Sequence, residues 1–415
     1  MHILLITIAY PPEIRSISIM LRELAEGLIA RGHRVTVLTA MPRANLAGAA
    51  AHAVLPEDTI ERGVRVLRVQ TLPTSRAPYV VRGIAQLDLP RQFLRVARRH
   101  VRSRVDAVAT YISPLPLARV GAIIARAHGA RHLLNIQDIF PQNAIDLGII
   151  RNRALIAYFE RMERAAYANA DMLTTHTPGS RRFLMERKGV SFERVVVVPN
   201  WIDCDAWDRV QATGAFRERY GLTGKFVIGF PGILGPAQHL DAVLDLAARV
   251  RDLSDIRFLL VGDGAERVRL MQRARSEGIA NVQFEDFIDP TAYPAFVKEL
   301  DLGLISLDPT YTTSMVPGKL TGFLAAGLPV LALLNPDNDG FDIIASAQCG
   351  AACRADDLDA AERHLRALHE HRSTLRAMGE RGRAYAAAHY ARDRCIAELE
   401  RLLLVPARAG DLAPR

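Results

Sequence analysis

The chain has 415 residues, of which 49% are apolar, 24% are charged and 6% are aromatic. This composition is sufficient for a hydrophobic core and excludes a disordered chain, and the length favours two domains. The net charge of +8 is unevenly distributed, because residues 1–200 carry a net +13 and residues 201–415 carry a net −5. A basic first half and an acidic second half indicate two domains with different binding partners.

The cysteines and the N-terminus indicate a protein of the reducing cytoplasm. The four cysteines form no CxxC pair and have no metal-ligand spacing with histidines, so neither a disulfide framework nor a zinc site is expected. The opening residues MHILLITIAYPP lack the charged region and the cleavage site of a signal peptide. The longest apolar run, 320–334, contains Gly327 and Pro329 and is too short for a transmembrane helix.

The first half begins with a strand, a helix and a second strand. Residues 2–9 form a continuous apolar run, which predicts a strand buried on both faces. Residues 19–30 have apolar side chains at helical spacing, and 34–39 follow as the next strand. Further buried strands are predicted at 105–109, 132–136, 171–175 and 195–199. This succession is typical of a doubly wound parallel sheet.

The same pattern restarts in the second half, with a strand at 226–230, a helix at 240–251 and a strand at 257–261. Later elements are predicted as a helix at 264–277, strands at 281–284, 302–307 and 329–333, a helix at 318–326 and a helical region at 356–404. The predicted fold class is therefore α/β, with two Rossmann-like domains facing each other across a cleft. We place the first domain at 1–203 and the second at 204–384.

The most informative motif is VPGKLTGFLAAG at 316–327. Pro317 suits a helix start, so Lys319 falls in the first helical turn, where a cation opposes the helix dipole. A bound anion would offset that cost, because the free backbone amides and Lys319 could grip one diphosphate together. Only four of the 53 basic residues are lysines, which makes this placement more telling.

Two glycine pairs follow predicted strands of the second half, Gly232 with Gly235 and Gly262 with Gly264. Glycine at such a position allows backbone N–H groups to approach a phosphate at the next helix N-terminus. A simple tight turn with no ligand is the alternative for each pair.

The first half offers a loop and a carboxylate at the carboxyl ends of its strands. The loop at 9–18 lacks GxGxxG, so it fits an acceptor loop better than a dinucleotide site, with a plain connection as the alternative. Asp138 follows the strand at 132–136 and is a candidate acid, base or orienting group. The alternative for Asp138 is a helix cap or a turn before Pro141.

Two acidic motifs match the DxD pattern, at 203–205 and at 337–339. The first lies in the predicted linker, and aspartates of both motifs are typical of turns. No metal site is predicted.

Residues 91–104 contain six arginines interleaved with apolar side chains. A basic amphipathic helix is typical of a membrane-surface element, and a solvated helix face is the alternative. Nucleic acid is not expected as a partner, because no aromatic stacking platform accompanies the charge. The predicted membrane-surface residues are Arg91, Arg95, Arg98, Arg99 and Arg102.

The order and spacing of several segments resemble GT-B glycosyltransferases of family 4, the group 1 class. The segments are YPPE at 10–13, LAEGLIARGHRVTVLT at 24–39, QDIFPQNAIDLGII at 137–150, ERMERAAYANAD at 160–171, VPNWID at 198–203, GILGPAQHLDAVL at 232–244, FLLVGDGAER at 258–267 and VPGKLTGFLAAGLPVLA at 316–332. The Asn-Trp pair and PGKLTGFLAAG are similar to a branch that builds bacterial surface polysaccharides on lipid carriers. Members of that branch transfer N-acetylated deoxysugars such as N-acetylfucosamine.

The resemblance implies a donor in the second domain, an acceptor in the first, retention at the anomeric carbon, and no metal or other cofactor. It also implies that residues 385–415 cross back to the first domain. The implied nucleotide-sugar-binding residues are Gly232, Gly235, Gly262, Gly264, Phe287, Ser314, Pro317, Gly318, Lys319 and Leu320. The implied acceptor-binding residues are Pro12, Glu13, Arg15 and Ser16. Asp138 and Lys319 are the implied catalytic residues.

The chain departs from the family pattern at the positions of its E-x7-E pair, where Ser314 and Gly322 stand. It also has Ile233 and Gln238 where the phosphate loop commonly carries Arg and Lys, and Arg15-Ser16 in place of the Gly-Gly of the acceptor loop. The missing carboxylates favour one alternative, a catalytically degenerate partner subunit that binds nucleotide. A nucleotide-sugar 2-epimerase is a further alternative, although it requires a cluster of carboxylates and histidines that the sequence does not present.

The expected activity is transfer from a nucleotide-diphosphate sugar, UDP before GDP, to a glycan on a polyprenyl diphosphate carrier. The expected location is the cytoplasm, peripheral at the inner face of the plasma membrane, where anionic lipid is the third expected partner. The sugar, the acceptor and the oligomeric state are not specified by the sequence.

Overall fold

The computed structural model describes residues 1–43, 46, 54–72, 79–314 and 316–405. The chain forms two compact units. Unit 1 comprises Met1–Pro141, Arg151–Pro199 and Asp393–Arg415, and Unit 2 comprises Gln142–Ile150 and Asn200–Arg392.

Unit 1 is built on an eight-stranded sheet in the order β3-β4-β2-β1-β5-β6-β7-β8, parallel except for the β3–β4 pair. The strands are β1 His2–Ile6, β2 Arg34–Ala40, β3 Asp58–Glu61, β4 Val64–Val69, β5 Ala107–Tyr111, β6 Arg131–Ile136, β7 Met172–Thr175 and β8 Val195–Val197. All five residues of β1 are buried, as the continuous apolar run predicted. The β3–β4 pair was not predicted.

Unit 2 is built on a six-stranded parallel sheet in the order β11-β10-β9-β12-β13-β14. The strands are β9 Phe226–Pro231, β10 Ile256–Val261, β11 Val282–Glu285, β12 Leu302–Ser306, β13 Val330–Leu334 and β14 Gly350–Arg354. The prediction of two doubly wound α/β units is confirmed. Strand β14 was missed because its sequence, GAACR, lacks the branched side chains that mark a strand.

Helices cover the faces of both sheets. In chain order the α-helices of the described residues are α1 Ser16–Ala30, α2 Tyr79–His100, α3 Leu117–His128, α4 Gln142–Asp146, α5 Arg153–Ala168, α6 Pro178–Lys188, α7 Cys204–Asp208, α8 Ala215–Arg219, α9 Leu240–Arg249, α10 Arg267–Ser276, α11 Tyr293–Val297, α12 Gly318–Ala326, α13 Gly340–Ala347, α14 Leu358–Glu370, α15 Leu375–His389 and α16 Arg392–Leu404. All four cysteines are free and buried.

The apolar side chains of the arginine-rich segment pack inside Unit 1. Leu89, Phe93 and Ala97 pack into the core of Unit 1, and Val101 just beyond the helix joins them. These apolar side chains are therefore not available for insertion into a bilayer. The arginines between them remain exposed. Because α2 connects parallel strands, it runs back toward the amino edge of the sheet over about 33 Å.

The C-terminal helix α16 packs on α1 within Unit 1. Its apolar face is buried, and Ile396 lies so close to Gly27 that a Cβ there would meet the Ile396 side chain at 2.8 Å. Glu400 accepts from His33 at 2.7 Å and pairs with Arg31 at 3.3 Å. We predicted that residues 385–415 cross back to the first domain, whereas in the structure the part of the C-terminus that belongs to Unit 1 begins at Asp393.

Residues 142–150 belong to Unit 2, although the sequence placed them in the first domain. Asp146 of α4 accepts hydrogen bonds from the backbone N–H and the hydroxyl of Thr312, both at 2.8 Å. Gln142 donates to the other carboxylate oxygen of Asp146 at 2.7 Å. Contacts across 166 residues of sequence are not visible in a local pattern.

Candidate functional site

The carboxyl edge of the Unit 2 sheet gathers three loops that follow the adjacent strands β10, β9 and β12. Parallel strands end at the same edge, so the loops that follow them lie together. The loop after β9 is tied to both neighbours by backbone hydrogen bonds. These run from Gly232 N to Val261 O (2.8 Å), Leu234 N to Asp263 O (2.9 Å), Glu266 N to Leu234 O (3.0 Å) and Asp308 N to Ala237 O (3.0 Å).

The four glycines of the two predicted pairs differ in whether their backbone conformation and packing require glycine. A Cβ on Gly262 would lie 1.9 Å from the carbonyl oxygen of Gly232, and a Cβ on Gly264 would lie 2.3 Å from that of Leu234. Close packing of two loops therefore explains this pair without a ligand. Gly232 has a φ of +145°, and a Cβ on it would sit 3.6 Å from the amine of Lys319. Position 235 has a φ of −127° and room for a Cβ, so neither conformation nor packing requires glycine there.

Lys319 lies in the first turn of α12, as the sequence predicted. Its Nζ donates to Oε1 of Gln238 at 2.9 Å and lies 3.4 Å from the ring centroid of Phe230. Desolvation lowers the pKa of the Lys319 amine well below its usual value. Pro317 precedes the helix and offers no side-chain acceptor to the first amides, and Gly318 and Leu320 flank the lysine. One amine and a set of backbone amides thus share one end of α12.

Ser314 and Gly322, which stand at the positions of the family carboxylates, have structural contacts of their own. The Ser314 hydroxyl donates to Asp339 at 2.7 Å and accepts from the Asp339 N–H at 2.9 Å. A Cβ on Gly322 would touch the indole of Trp207 at 3.4 Å. Trp207 packs edge-to-face on Tyr293, with ring centroids 6.0 Å apart. A glutamate at 322 would therefore meet an aromatic pair.

Two apolar side chains stand exposed after strands of the same sheet. Phe287 follows β11 and is 61% exposed, and Ile233 follows β9 and is 68% exposed. Single exposed apolar side chains are common on protein surfaces, so only their position beside the loops of this edge makes these two candidates for a ligand contact. The family resemblance implied Phe287 as a nucleotide-sugar-binding residue, and the structure shows that its ring is exposed.

Asp138 lies at the carboxyl end of β6 in Unit 1. Burial raises the pKa of its carboxyl, and a hydrogen bond with Ser113 opposes that shift. The helix that follows begins at Gln142, so Asp138 is not its cap. A carboxyl group with a raised pKa just after a strand is a candidate acid, base or orienting group.

The predicted acceptor loop, with Pro12, Glu13, Arg15 and Ser16, follows β1. Glu13 is buried and pairs with Arg15 at 2.6 Å. Burial raises the pKa of Glu13, and the Arg15 guanidinium opposes that shift.

Sequence reasoning missed Arg68, which is 1% exposed and donates to the carbonyl of Pro11 at 3.0 Å while pairing with Glu61 at 2.7 Å. It therefore holds the start of the acceptor loop. An arginine inside the valine-rich run VRVLRV was the available signal.

The DxD motifs serve as turn and cap residues. Asp203 caps α7 by accepting from Ala206 N at 2.9 Å, and Asp339 holds Ser314. Within the described ranges, no cluster of three or more His, Cys, Asp and Glu side chains is arranged to hold a metal ion.

The arginines of the predicted membrane-surface group are all exposed, on the second half of α2 and just beyond it. Near the amino edge of the sheet, Arg65, Arg99, His100, Arg102 and Ser103 line a cavity of about 450 Å³. In the part of the chain that the structure covers, no helix combines the length and the apolar character needed to cross a bilayer.

Comparison with known proteins identifies the family. The model of the Glycosyl transferase 4-like domain matches residues 17–201, and that of Glycosyl transferases group 1 matches residues 213–385. The "Putative colanic acid biosynthesis glycosyl transferase WcaI" of Escherichia coli (strain K12) is 28% identical over 336 residues, which span 79% of this chain and 82% of WcaI.

Two solved structures share the fold. Sucrose-phosphate synthase of Thermosynechococcus elongatus aligns with a TM-score of 0.77 at 16% identity, over 97% of this chain and 98% of that one. HepE of Anabaena, solved in complex with UDP-glucose, aligns with a TM-score of 0.70 at 16% identity, over 97% of this chain and 99% of that one. The chain belongs to the glycosyltransferases of group 1 and has the GT-B fold.

Proposed function

We propose that this protein is a retaining glycosyltransferase of surface polysaccharide biosynthesis. It moves a sugar from a nucleotide-diphosphate sugar bound by Unit 2 to a lipid-linked glycan bound by Unit 1. The observation that carries the proposal is the Lys319 amine, which lies beside Gly232 in the first turn of α12. WcaI is named for colanic acid biosynthesis, and HepE was solved in complex with UDP-glucose. Both relatives support this proposal.

The chemistry places negative charge at this site. When the bond between the sugar C1 and the phosphate oxygen breaks, its electron pair passes to the departing diphosphate. The Lys319 ammonium and the first amides of α12 stabilise that charge where it develops. Gly232 and Gly318 carry no side chain and are not buried, so their backbone is accessible, and the exposed ring of Phe287 supplies a face for the base of UDP or GDP.

The acceptor hydroxyl forms the new bond to C1, and its proton passes to an oxygen of the departing diphosphate. Asp138 orients the acceptor hydroxyl or the transferring sugar, and a carboxyl whose pKa is raised by burial is typical of such a role. The acceptor loop with Glu13 and Arg15 approaches the carrier diphosphate. No metal ion has an assigned role in this scheme.

Attachment to an anionic membrane is electrostatic in this proposal. The apolar side of α2 is packed in the core, so only the exposed arginines are left to attract lipid phosphates. The cytoplasmic face of the plasma membrane is where such lipids and a polyprenyl-linked acceptor meet.

A second candidate is a nucleotide-binding partner without transferase activity. The observation that favours it is the replacement of a family carboxylate by Gly322, against which Trp207 packs. Ribose binding must then come from other groups.

Substitution of Lys319 tests the proposal. We expect Lys319→Ala to lower turnover of the preferred UDP- or GDP-sugar at least ~10-fold, because a charge-assisted contact to a developing charge is lost. Lys225→Ala, at the start of β9 and the opposite edge of the sheet, is the matched control and should leave turnover unchanged. Full activity of the Lys319 variant would contradict the assignment. Nucleotide binding by the wild type without transfer to any acceptor or water would instead favour the partner subunit.

A further inference from the structure

The amine of Lys319 is held on two sides by residues of the β9 segment. Gln238 accepts from it at 2.9 Å, and the face of Phe230 lies 3.4 Å away. Phe230 is fully buried in β9, so its ring forms a fixed platform. Lys319 and Gln238 are 81 residues apart in sequence, and the fold alone brings them together.

The backbone that carries Gln238 is fixed by the neighbouring strand. Gln238 ends a short 3-10 turn, Pro236–Gln238, which follows Gly235. Asp308 N donates to the carbonyl of Ala237 at 3.0 Å, and the Ser306 hydroxyl donates to the carbonyl of His239 at 3.3 Å. The amide of Gln238 is therefore presented from a turn anchored on both sides of it.

A neutral acceptor has a particular consequence for a lysine at an anion site. An ammonium group has three donors, and Gln238 uses one of them, so two remain for a ligand. A carboxylate at 238 would neutralise the ammonium and repel a phosphate. A second cation there would add affinity for anions but repel Lys319. The amide carbonyl orients the amine and leaves its charge uncompensated.

Two aspartates on the adjoining loops accept hydrogen bonds from the backbone nearby. The Asp263 carboxylate accepts from Gly264 N at 2.8 Å, and the Asp308 carboxylate accepts from Thr310 N at 2.9 Å. His239 follows Gln238 in the chain and contributes its carbonyl to Ser306. Desolvation is the cause of the lowered pKa of Lys319.

We propose that Gln238 is a positioning residue, which holds the Lys319 amine over Phe230 so that one cation serves the donor diphosphate. The inference rests on the proposed function of this site. Gln238 acts through Lys319 and does not itself bind the phosphates. The diphosphate site is thereby a single-cation site, whose strength depends on the direction of one amine.

The experiment compares three glutamine substitutions by calorimetric titration of the full chain with UDP, GDP and inorganic pyrophosphate. Gln238→Met keeps the side-chain length but lacks the carbonyl, and it should weaken binding about 3- to 10-fold, the range of one hydrogen bond. Gln238→Glu should weaken it more, by ~10-fold or above, because its carboxylate neutralises the ammonium. Gln272→Met, at an exposed position on α10, is the matched control and should bind as the wild type does.

A double-mutant cycle separates a positioning role from direct contact. If Gln238 acts through Lys319, Gln238→Met should cause no further loss in the Lys319→Ala background. Additive losses, or wild-type affinity of both Gln238→Met and Gln238→Glu, would overturn the inference and leave the proposed function standing. A wild-type chain that binds neither nucleotide nor pyrophosphate would overturn both. Unchanged thermal unfolding of each variant shows that the comparison concerns folded protein.

Discussion

The two carboxyl edges of this molecule handle charge in opposite ways. In Unit 1 the charged residues in and beside the acceptor loop are paired within the fold, with Glu13 against Arg15 and Arg68 against Glu61. In Unit 2 one amine faces only a neutral amide and an aromatic ring. The edge with the uncompensated cation thus belongs to the half of the chain with a net −5, whereas the half with a net +13 pairs its edge residues. Local arrangement, rather than bulk charge, prepares Unit 2 for an anion.

Substitutions of glycines at the carboxyl edge of the Unit 2 sheet should have the largest effect on stability. They distinguish glycines that the packing of the loops requires from glycines that a ligand requires. Gly264→Ala should destabilise the chain by about 3 kcal/mol or more, because its Cβ would collide with the backbone of Leu234. Gly235→Ala, in the same site but without such a clash, should leave the midpoint of chemical denaturation nearly unchanged. Equal stability of the two variants would show that the loops after β9 and β10 can separate at little cost.

Asp138 tests whether the Unit 1 edge also carries chemistry. Asp138→Asn should lower turnover by about 100-fold, the lower end of the contribution of a positioned acid–base group. Initial rates with donor and acceptor measure this effect.

The same substitution should stabilise the fold in a pH-dependent way. Because burial raises the pKa of Asp138 in the folded state, the native protein binds more protons than the unfolded chain between the ordinary and the raised pKa. Stability is therefore lost as the pH rises through that window. Above it the asparagine variant should be more stable by on the order of 1 kcal/mol, and below pH ~3.8 the two should converge. A variant that is less stable at neutral pH would contradict this account.

Substitution of the exposed arginines of α2 tests whether the bulk charge of the first half has a role of its own, separate from the local charge at Lys319. Arg98/Arg99→Glu should lower affinity for vesicles rich in phosphatidylglycerol, measured by co-sedimentation, by about 30-fold or more, because each basic residue near the surface adds about 1 kcal/mol. Raising the salt concentration should have the same effect on the wild type. Binding that persists under both changes would show that another surface attaches the protein to the membrane.

Lys319 gives the smallest and most specific signal. The chain has four lysines, so NMR of methylated or isotope-labelled lysines yields few resonances to assign. Because desolvation lowers its pKa, the Lys319 resonance should titrate at a lower pH than that of a lysine in a short peptide. Saturating UDP should move that titration upward, since a phosphate stabilises the ammonium. A Lys319 resonance that titrates as the peptide lysine does would show that the amine is hydrated.

Local signals predicted elements well where the sequence punctuates them. Helix α12 was predicted at 318–326 and spans Gly318–Ala326, since Pro317 and Gly327 mark its ends. The β3–β4 pair escaped because two arginines interrupt the apolar pattern of VRVLRV, and one of them, Arg68, proved to be buried. The hydrophobicity pattern of a strand does not show which charged side chain the fold will bury.

The candidate site was predictable in part, for a related reason. Lys319 stood out because a cation at a helix start conflicts with the dipole, which is a local conflict. Its partner Gln238, the indole beside Gly322 and the packing of Gly264 on Leu234 depend on residues brought together from distant parts of the chain. Only the folded arrangement distinguishes a glycine that a ligand needs from one that a neighbouring loop needs.

The path of residues 142–150 limits how this enzyme can be taken apart or recombined. The backbone passes between the units at 141–142, 150–151, 199–200 and 392–393, so neither unit is one continuous stretch of gene. A fragment of 200–392 lacks Asp146 and leaves the Thr312 loop without its two hydrogen bonds. A chimera joined once at the linker inherits α4 from one parent and its docking loop from the other. Exchange of donor specificity between relatives therefore requires that this nine-residue segment travel with Unit 2.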